Sequence, residues 1–166
     1  MIINLESVFN VEGRTADFDY EIDMSGEELD GSFPFVKPVK VKGAVSNSTG
    51  IVEINADASY EITLPCTRCA RAVTRQMNCE ISHTLVRELE NEKNDDYIVV
   101  ENLEYDLDPL VREDILLSIP YVFLCEPDCK GLCPKCGKNL NDGACGCKAE
   151  TGRGFEALRA LLDDEQ

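Results

Sequence analysis

Two runs of strict alternation constrain this chain more than any other feature. From Val52 to Leu64 every even position is apolar (Val52, Ile54, Ala56, Ala58, Tyr60, Ile62, Leu64), and the odd positions between them are Glu, Asn, Asp, Ser, Glu and Thr. From Val73 to Leu85 the apolar set moves to the odd positions, as Val73, Met77, Cys79, Ile81, His83 and Leu85, with Arg75 the exception. A period of two sends successive side chains to opposite faces of a strand, so each run reads as a half-buried strand with one wet face. Pro65–Ala72, PCTRCARA, lies between them. The pattern predicts one long antiparallel hairpin with a CxxC at its tip.

Further strands are expected around this hairpin. Val36 to Ser46, with Val39, Val41 and Val45 on one face, joins it through the NSTG turn at Asn47 to Gly50. Asp17 to Met24 alternates weakly, and Tyr97 to Val100 follows the polar loop NEKNDD. Long strands twist, so the sheet is expected to be mostly antiparallel and curved or barrel-like. Asp108-Pro109 is a helix start, with aspartate as cap and proline at the first helical position. That helix is expected near 108–119, before Pro120. After Gly154, Phe155, Leu158, Leu161 and Leu162 recur at helical spacing and predict a short C-terminal helix packing on the core. The expected class is α+β. Its parts are a β-rich core over 1–124, a cysteine-rich zinc-binding segment over 125–150, and the C-terminal helix over 151–166.

The cysteine-rich segment cannot fold by burial alone. Residues 129–147, CKGLCPKCGKNLNDGACGC, hold few apolar side chains and five of the nine cysteines. The N-terminus has no basic region or cleavage site of the signal-peptide kind, and no apolar stretch reaches the length of a membrane span. A soluble cytoplasmic protein is therefore expected, and thiols in a reducing compartment serve better as metal ligands than as disulfides. The chain offers Cys66-x-x-Cys69, Cys125-x-x-x-Cys129, Cys133-x-x-Cys136 and Cys145-x-Cys147. These eight thiols suffice for two closed four-cysteine zinc sites, because a tight turn lets a CxxC pair put two sulfurs on one metal. Chain proximity groups Cys133, Cys136, Cys145 and Cys147 as a zinc knuckle site. Cys66 and Cys69 are then left to Cys125 and Cys129, although an exchange of pairs would satisfy the same spacing. Cys79 remains, as a buried small hydrophobe.

Nothing else in the sequence points to catalysis. The lone histidine, His83, lies on the apolar face of a strand. No nucleophile elbow, P-loop, dinucleotide fingerprint or zinc-protease motif occurs, so no catalytic residue and no small-molecule substrate is expected. The net charge is −16, yet bases gather beside the cysteines: Arg68, Arg71 and Arg75 near one knuckle, and Lys130, Lys135, Lys138 and Lys148 near the other. They are candidate contacts for RNA or another anionic partner.

The CTRC at the hairpin tip, the stretch DLDPLVREDILLSIP, and the run C-x-x-x-C-K-G-L-C-P-x-C-G-x-N-L-N followed by C-x-C together resemble the YceD-like family. These are the large ribosomal RNA subunit accumulation proteins of bacteria and plastids. The resemblance runs from about Leu5 to the C-terminal end. It implies a role in the accumulation of 23S rRNA, with the rRNA or a large-subunit ribosomal protein of the pre-ribosome as partner. It also implies that Cys66 and Cys69 are the more widespread element. Some relatives have histidine at the position of Cys125, and this supports pairing Cys125 and Cys129 with the 66/69 knuckle. The leading expectation is a non-enzymatic, zinc-binding factor in ribosome biogenesis. The alternatives are a zinc-stabilised protein–protein adaptor whose acidic surface meets a basic partner, and a thiol redox or metal sensor. The charge of −16 and the scarcity of aromatic side chains beside the bases weigh against direct RNA contact.

Overall fold

The structure is a computed structural model that describes residues 1–88, 97–100 and 102–147. In chain order the elements are β1 (Ile2–Asn4), α1 (Glu6–Asn10), β2 (Thr15–Ile22), β3 (Val39–Ser48), β4 (Ile51–Pro65), β5 (Ala72–Val86), β6 (Tyr97–Val99), β7 (Glu104–Asp106) and α2 (Leu107–Ser118). A five-stranded sheet runs β2-β3-β4-β5-β6, and β1 pairs with β7 in a separate two-stranded sheet. The C-terminal helix expected over 151–166, the loop at 91–96 and Lys148 lie outside the described residues.

The alternating runs become the hairpin. β4 and β5 pair antiparallel from Val52↔Leu85 to Pro65↔Ala72, so their apolar positions face the same side. Ile54, Ala58, Tyr60 and Ile62 of β4 are buried there with Ile81 and Leu85 of β5. The turn before β4 consists of Thr49 and Gly50, both at positive φ (54° and 86°), which matches the twist of a two-residue hairpin turn. Asn47 is buried at the end of this turn. Its Oδ1 accepts from the Gly50 N–H (3.0 Å), and its Nδ2 donates to the Val8 carbonyl (2.8 Å), tying the turn to α1.

Two expectations need correction. The sheet is open, not closed into a barrel, with β2 and β6 as its edges. Its apolar face is covered by helices: Val8 of α1 and Leu107, Leu110, Val111 and Ile115 of α2 join the main core. The sheet is mostly antiparallel, and β6 pairs with the end of β5 in parallel register, Thr84↔Tyr97 to Val86↔Val99. Finally, α2 begins one residue earlier than expected. Asp106 is the cap, its carboxylate accepting from the Asp108 N–H (3.2 Å), and Pro109 stands third in the helix. Proline is tolerated there because the first N–H groups of a helix have no partner within it. Helix α2 ends where Ile119 donates back to the Leu116 carbonyl, just before Pro120. The chain then turns toward the hairpin tip.

Candidate metal centre

The β4–β5 tip places Cys66 and Cys69 against the segment after α2. Phe123 seats that segment in the core, and its carbonyl accepts from the Thr67 N–H (2.8 Å). This brings up Cys125 and Cys129. The Sγ atoms of Cys66 and Cys129 are 3.8 Å apart, those of Cys69 and Cys125 are 3.6 Å apart, and all four sulfurs lie within 4.8 Å of one another. Cys66, Cys69 and Cys129 are buried and Cys125 is half-buried. Cys133, Cys136, Cys145 and Cys147 form a second group of the same compactness, with Cys133 buried but Cys136 and Cys147 exposed.

Both CxxC turns have one backbone design. In the first, Cys66 N–H donates to the Arg71 carbonyl (2.8 Å) and Ala70 N–H to the Cys66 carbonyl (2.9 Å). In the second, Cys133 N–H donates to the Lys138 carbonyl (2.8 Å) and Gly137 N–H to the Cys133 carbonyl (2.8 Å). The residue after the second cysteine takes a left-handed conformation in each, Ala70 at φ 57° and Gly137 at φ 71°. Glycine meets that requirement without the Cβ clash that alanine carries.

A short bridge connects the groups. Gly131, at φ 73°, presses against the first knuckle, where a Cβ would stand 3.0 Å from the Arg68 carbonyl oxygen. The next residue, Leu132, donates its N–H to that carbonyl (3.2 Å). A 3-10 turn at Leu140–Asp142 then folds back over the first group. Asn141 Nδ2 donates to the Cys129 sulfur (3.3 Å), while its Oδ1 accepts from the Lys130 N–H (2.7 Å). Asn139 holds Asn141 in place by accepting from both its backbone and its side-chain nitrogen. The sequence reading missed this pair. Its signal was the Asn-Leu-Asn after the knuckle, since asparagine favours turns that use its own side chain.

Arg68 and Arg71 reach across to the cysteine-rich segment, and Arg75 to the chain just before it. Arg68 donates to the Cys129 carbonyl (2.9 Å), and Arg71 pairs with Asp142 (3.0 Å). Arg75 lies over the Phe123 ring, 4.9 Å from its centroid, and donates to the Leu124 carbonyl. Lys130, Lys135 and Lys138 are exposed, and the Lys138 ammonium donates to the Ala144 carbonyl (3.0 Å). His83 is half-buried against α2, its Nε2 2.6 Å from Asp114 Oδ2.

Residues 54–162, more than half of the chain, match the family described as "Large ribosomal RNA subunit accumulation protein YceD". The chain belongs to the YceD family. It is similar to "Uncharacterized protein YlbN" of Bacillus subtilis, 29% identical over 76% of this chain and 75% of that protein. It is also similar to "Large ribosomal RNA subunit accumulation protein YCED homolog 1, chloroplastic" of Zea mays, 26% identical over 86% of this chain and 60% of the maize protein. A protein of the same description from Arabidopsis thaliana is 36% identical over 38% of this chain and 20% of its own length. The match thus spans less than two thirds of the two plant relatives. No solved structure matches.

The donor sets of this YceD chain fit a tetrahedral thiolate-bound ion. Zinc–sulfur bonds of about 2.3 Å put tetrahedral sulfurs about 3.8 Å apart, which is the spacing at Cys66 and Cys129. The local fields favour some thiolates and penalise others. Burial opposes ionisation of Cys66, but the backbone N–H groups of Arg68, Cys125 and Cys69 outweigh it and bring the thiol down to about 6. The N–H groups of Cys136 and Lys135, aided by Cys145, bring Cys133 down to about 6 as well. The Asn141 amide is the foremost influence lowering Cys129. Conversely, burial and then the neighbouring sulfurs push Cys125 up to about 12, and Cys136 followed by burial does the same for Cys147. Each group thus has a readily formed thiolate and one that its neighbours suppress. A divalent cation removes that repulsion, so the two groups could each hold a metal ion.

Proposed function

We propose that this chain is a non-enzymatic zinc-binding factor for large ribosomal subunit biogenesis. It promotes 23S rRNA accumulation by binding the rRNA or a large-subunit ribosomal protein of the pre-ribosome in the cytoplasm. Eight cysteines hold two zinc ions: Cys66, Cys69, Cys125 and Cys129 the first, and Cys133, Cys136, Cys145 and Cys147 the second. The role follows from membership of the YceD family, and the observation that carries the zinc reading is the pair of compact four-sulfur groups. A closed site with four thiolates suits structural zinc and leaves no open position for a substrate. Among the described residues no helix is long and apolar enough to cross a membrane. The division into a core over 1–124, a metal-organised segment over 125–150 and a C-terminal helix over 151–166 belongs to the same proposal.

Between the two partners, the arginines favour a protein. Arg68, Arg71 and Arg75 are engaged with Cys129, Asp142 and Phe123, so they clamp the segment rather than wait for phosphates. A chain of net charge −16 attracts basic ribosomal proteins and repels RNA at long range. This is the adaptor reading, placed within ribosome assembly.

The test combines metal analysis with depletion. Inductively coupled plasma mass spectrometry of anaerobically purified protein is expected to give two zincs per chain. Depletion in the cell is expected to lower 23S relative to 16S rRNA, and a Cys66→Ser variant is expected not to restore it. An unchanged rRNA ratio on depletion would remove the assembly role. Iron, or no metal, would remove the zinc reading.

A further inference from the structure

An apolar groove lies beside the first four-sulfur group. Its cavity is ≈ 390 Å³. One wall is the hairpin tip, with Leu64, Thr67 and Ala70, and the other is the end of α2 and the chain after it, with Leu116, Ile119 and Tyr121. Leu29 and Asp30 close one end. The apolar character is exposed: Tyr121 on the wall is 96% exposed, and Leu117 and Val122, beside lining residues in the chain, are 77% and 57% exposed. Large apolar side chains clustered at this exposure mark an interaction site, whereas a single one would need no explanation.

Charge selects among possible occupants. Among the described residues, Asp30 is the one carboxylate lining the groove and no base lines it. Glu28 is exposed in the same turn, Glu113 stands one helical turn before Leu116 and Leu117, and Glu126 and Asp128 follow Phe123. Among the described residues, the bases beside the lining are engaged within the chain. Arg68, next to Thr67, donates to the Cys129 carbonyl, Arg71, next to Ala70, pairs with Asp142, Arg112 pairs with Glu27, and Arg75 is stacked on Phe123, which also lines the groove. The surroundings are therefore apolar at the centre and acidic at the rim. A nucleic acid or an anionic membrane is repelled, and a second copy of this acidic chain brings like charge. A basic segment that carries apolar side chains satisfies both features.

We propose that this groove docks a basic, apolar-anchored segment of a partner protein. The anchor fills the space between Leu64 and Tyr121, and its flanking lysines or arginines meet Asp30, Glu28 and Glu113. The inference rests on the ribosome-assembly reading only for the partner's origin. The groove's preference for basic apolar segments stands without it. The arrangement also gives the first metal group a task. Cys66 lines the groove, so the ion that fixes the tip also fixes the wall.

The test uses the full-length, zinc-loaded chain and three labelled peptides. The first is built of lysine, arginine and leucine, the second replaces each leucine by serine at the same charge, and the third replaces each basic residue by glutamate. Fluorescence anisotropy is expected to show binding of the first and to show the second and third at least about tenfold weaker. Tyr121→Ala, at an exposed position that carries no fold, is expected to weaken the first peptide about tenfold. Asp30→Asn keeps a residue that tolerates the φ of 48° at this position and removes the charge. It is expected to cost a few-fold and to flatten the salt dependence. Equal binding of the leucine and serine peptides, or no effect of Tyr121→Ala, overturns the proposal. So does tighter binding when Leu158→Ser and Leu161→Ser, which leave the charge unchanged, are made together in the full chain, since the chain's own tail would then be the occupant. A failed peptide assay leaves the rRNA ratio in depleted cells unchanged as a readout, so the two readings fail separately.

Discussion

The two four-sulfur groups share one knuckle geometry but sit differently in the chain. The first joins residues 63 and 56 positions apart, linking the hairpin tip to the segment after α2. The second closes within one short loop, from Cys133 to Cys147. Loop-closure entropy grows by about 0.6 kcal/mol for each doubling of loop length, so cross-linking the longer loop gains roughly 1 kcal/mol more. Burial widens the gap. Cys66, Cys69 and Cys129 are buried between elements that also pack through Phe123, whereas Cys136 and Cys147 face solvent. A metal in the first group would hold the tertiary structure together, and one in the second would organise mainly its own loop. Position in the fold, and not ligand type, decides how much of the molecule depends on an ion.

The largest effect expected from this contrast is on stability. Cys129→Ser is expected to remove one zinc and to cost at least about 4 kcal/mol, out of the roughly 10–16 kcal/mol a structural zinc contributes. Hydrogen exchange is expected to show the hairpin tip and residues 120–132 opening. Cys136→Ser also removes one zinc, but the sheet's thermal unfolding is expected to move by no more than about 0.5 kcal/mol. Equal losses for the two variants would erase the distinction.

The bridge through Asn141 makes the groups unequal partners. Asn141→Leu deletes the amide that faces the Cys129 sulfur, and such outer contacts typically change metal affinity about 10–100-fold. Chelator competition, with cobalt absorption to separate the sites, is expected to show that loss in the first group only. A loss confined to the second group would mean that the 3-10 turn serves only its own loop.

Smaller effects test the clamp. Arg75→Ala gives up a guanidinium–ring contact and a hydrogen bond and is expected to cost about 1 kcal/mol. Arg71→Ala breaks an exposed ion pair and is expected to cost no more than about 0.5 kcal/mol. Urea titration reads both. If neither changes stability, while both weaken binding of a 23S rRNA fragment, the arginines are recognition residues after all.

Two effects of similar size compare the knuckles directly. Gly137→Ala places a Cβ at a positive φ and is expected to destabilise the second knuckle by about 1 kcal/mol. Ala70→Gly relieves the same strain in the first, with a gain of about 0.5 kcal/mol once the added freedom of the unfolded chain is counted. Opposite signs in calorimetry bear out the shared geometry. A destabilising Ala70→Gly would contradict it.

Much of the fold was legible because its signals are local. The alternation at 52–64 and 73–85 needs only the two faces of a strand, and it located the hairpin and its tip. The helix near 108–119 was readable from Pro109 and Pro120, but its cap was misplaced by two residues, because proline fits any of the first few positions. Closure was not readable. Whether a twisted sheet closes on itself depends on what covers its apolar face, and α1, whose five residues carry little helical pattern, had not been expected.

By itself the sequence determined the long hairpin, its CxxC tip and the supply of cysteine pairs. Period-two burial and the tight CxxC turn are properties of a few adjacent residues. The tertiary structure decided which pairs meet, that Arg68 and Arg71 reach the cysteine-rich segment and Arg75 the chain just before it, and that Asn141 reaches a cysteine of the other group. These contacts join residues far apart in the chain. Their geometry is set by how α2 and Phe123 pack on the sheet, and no local pattern records it.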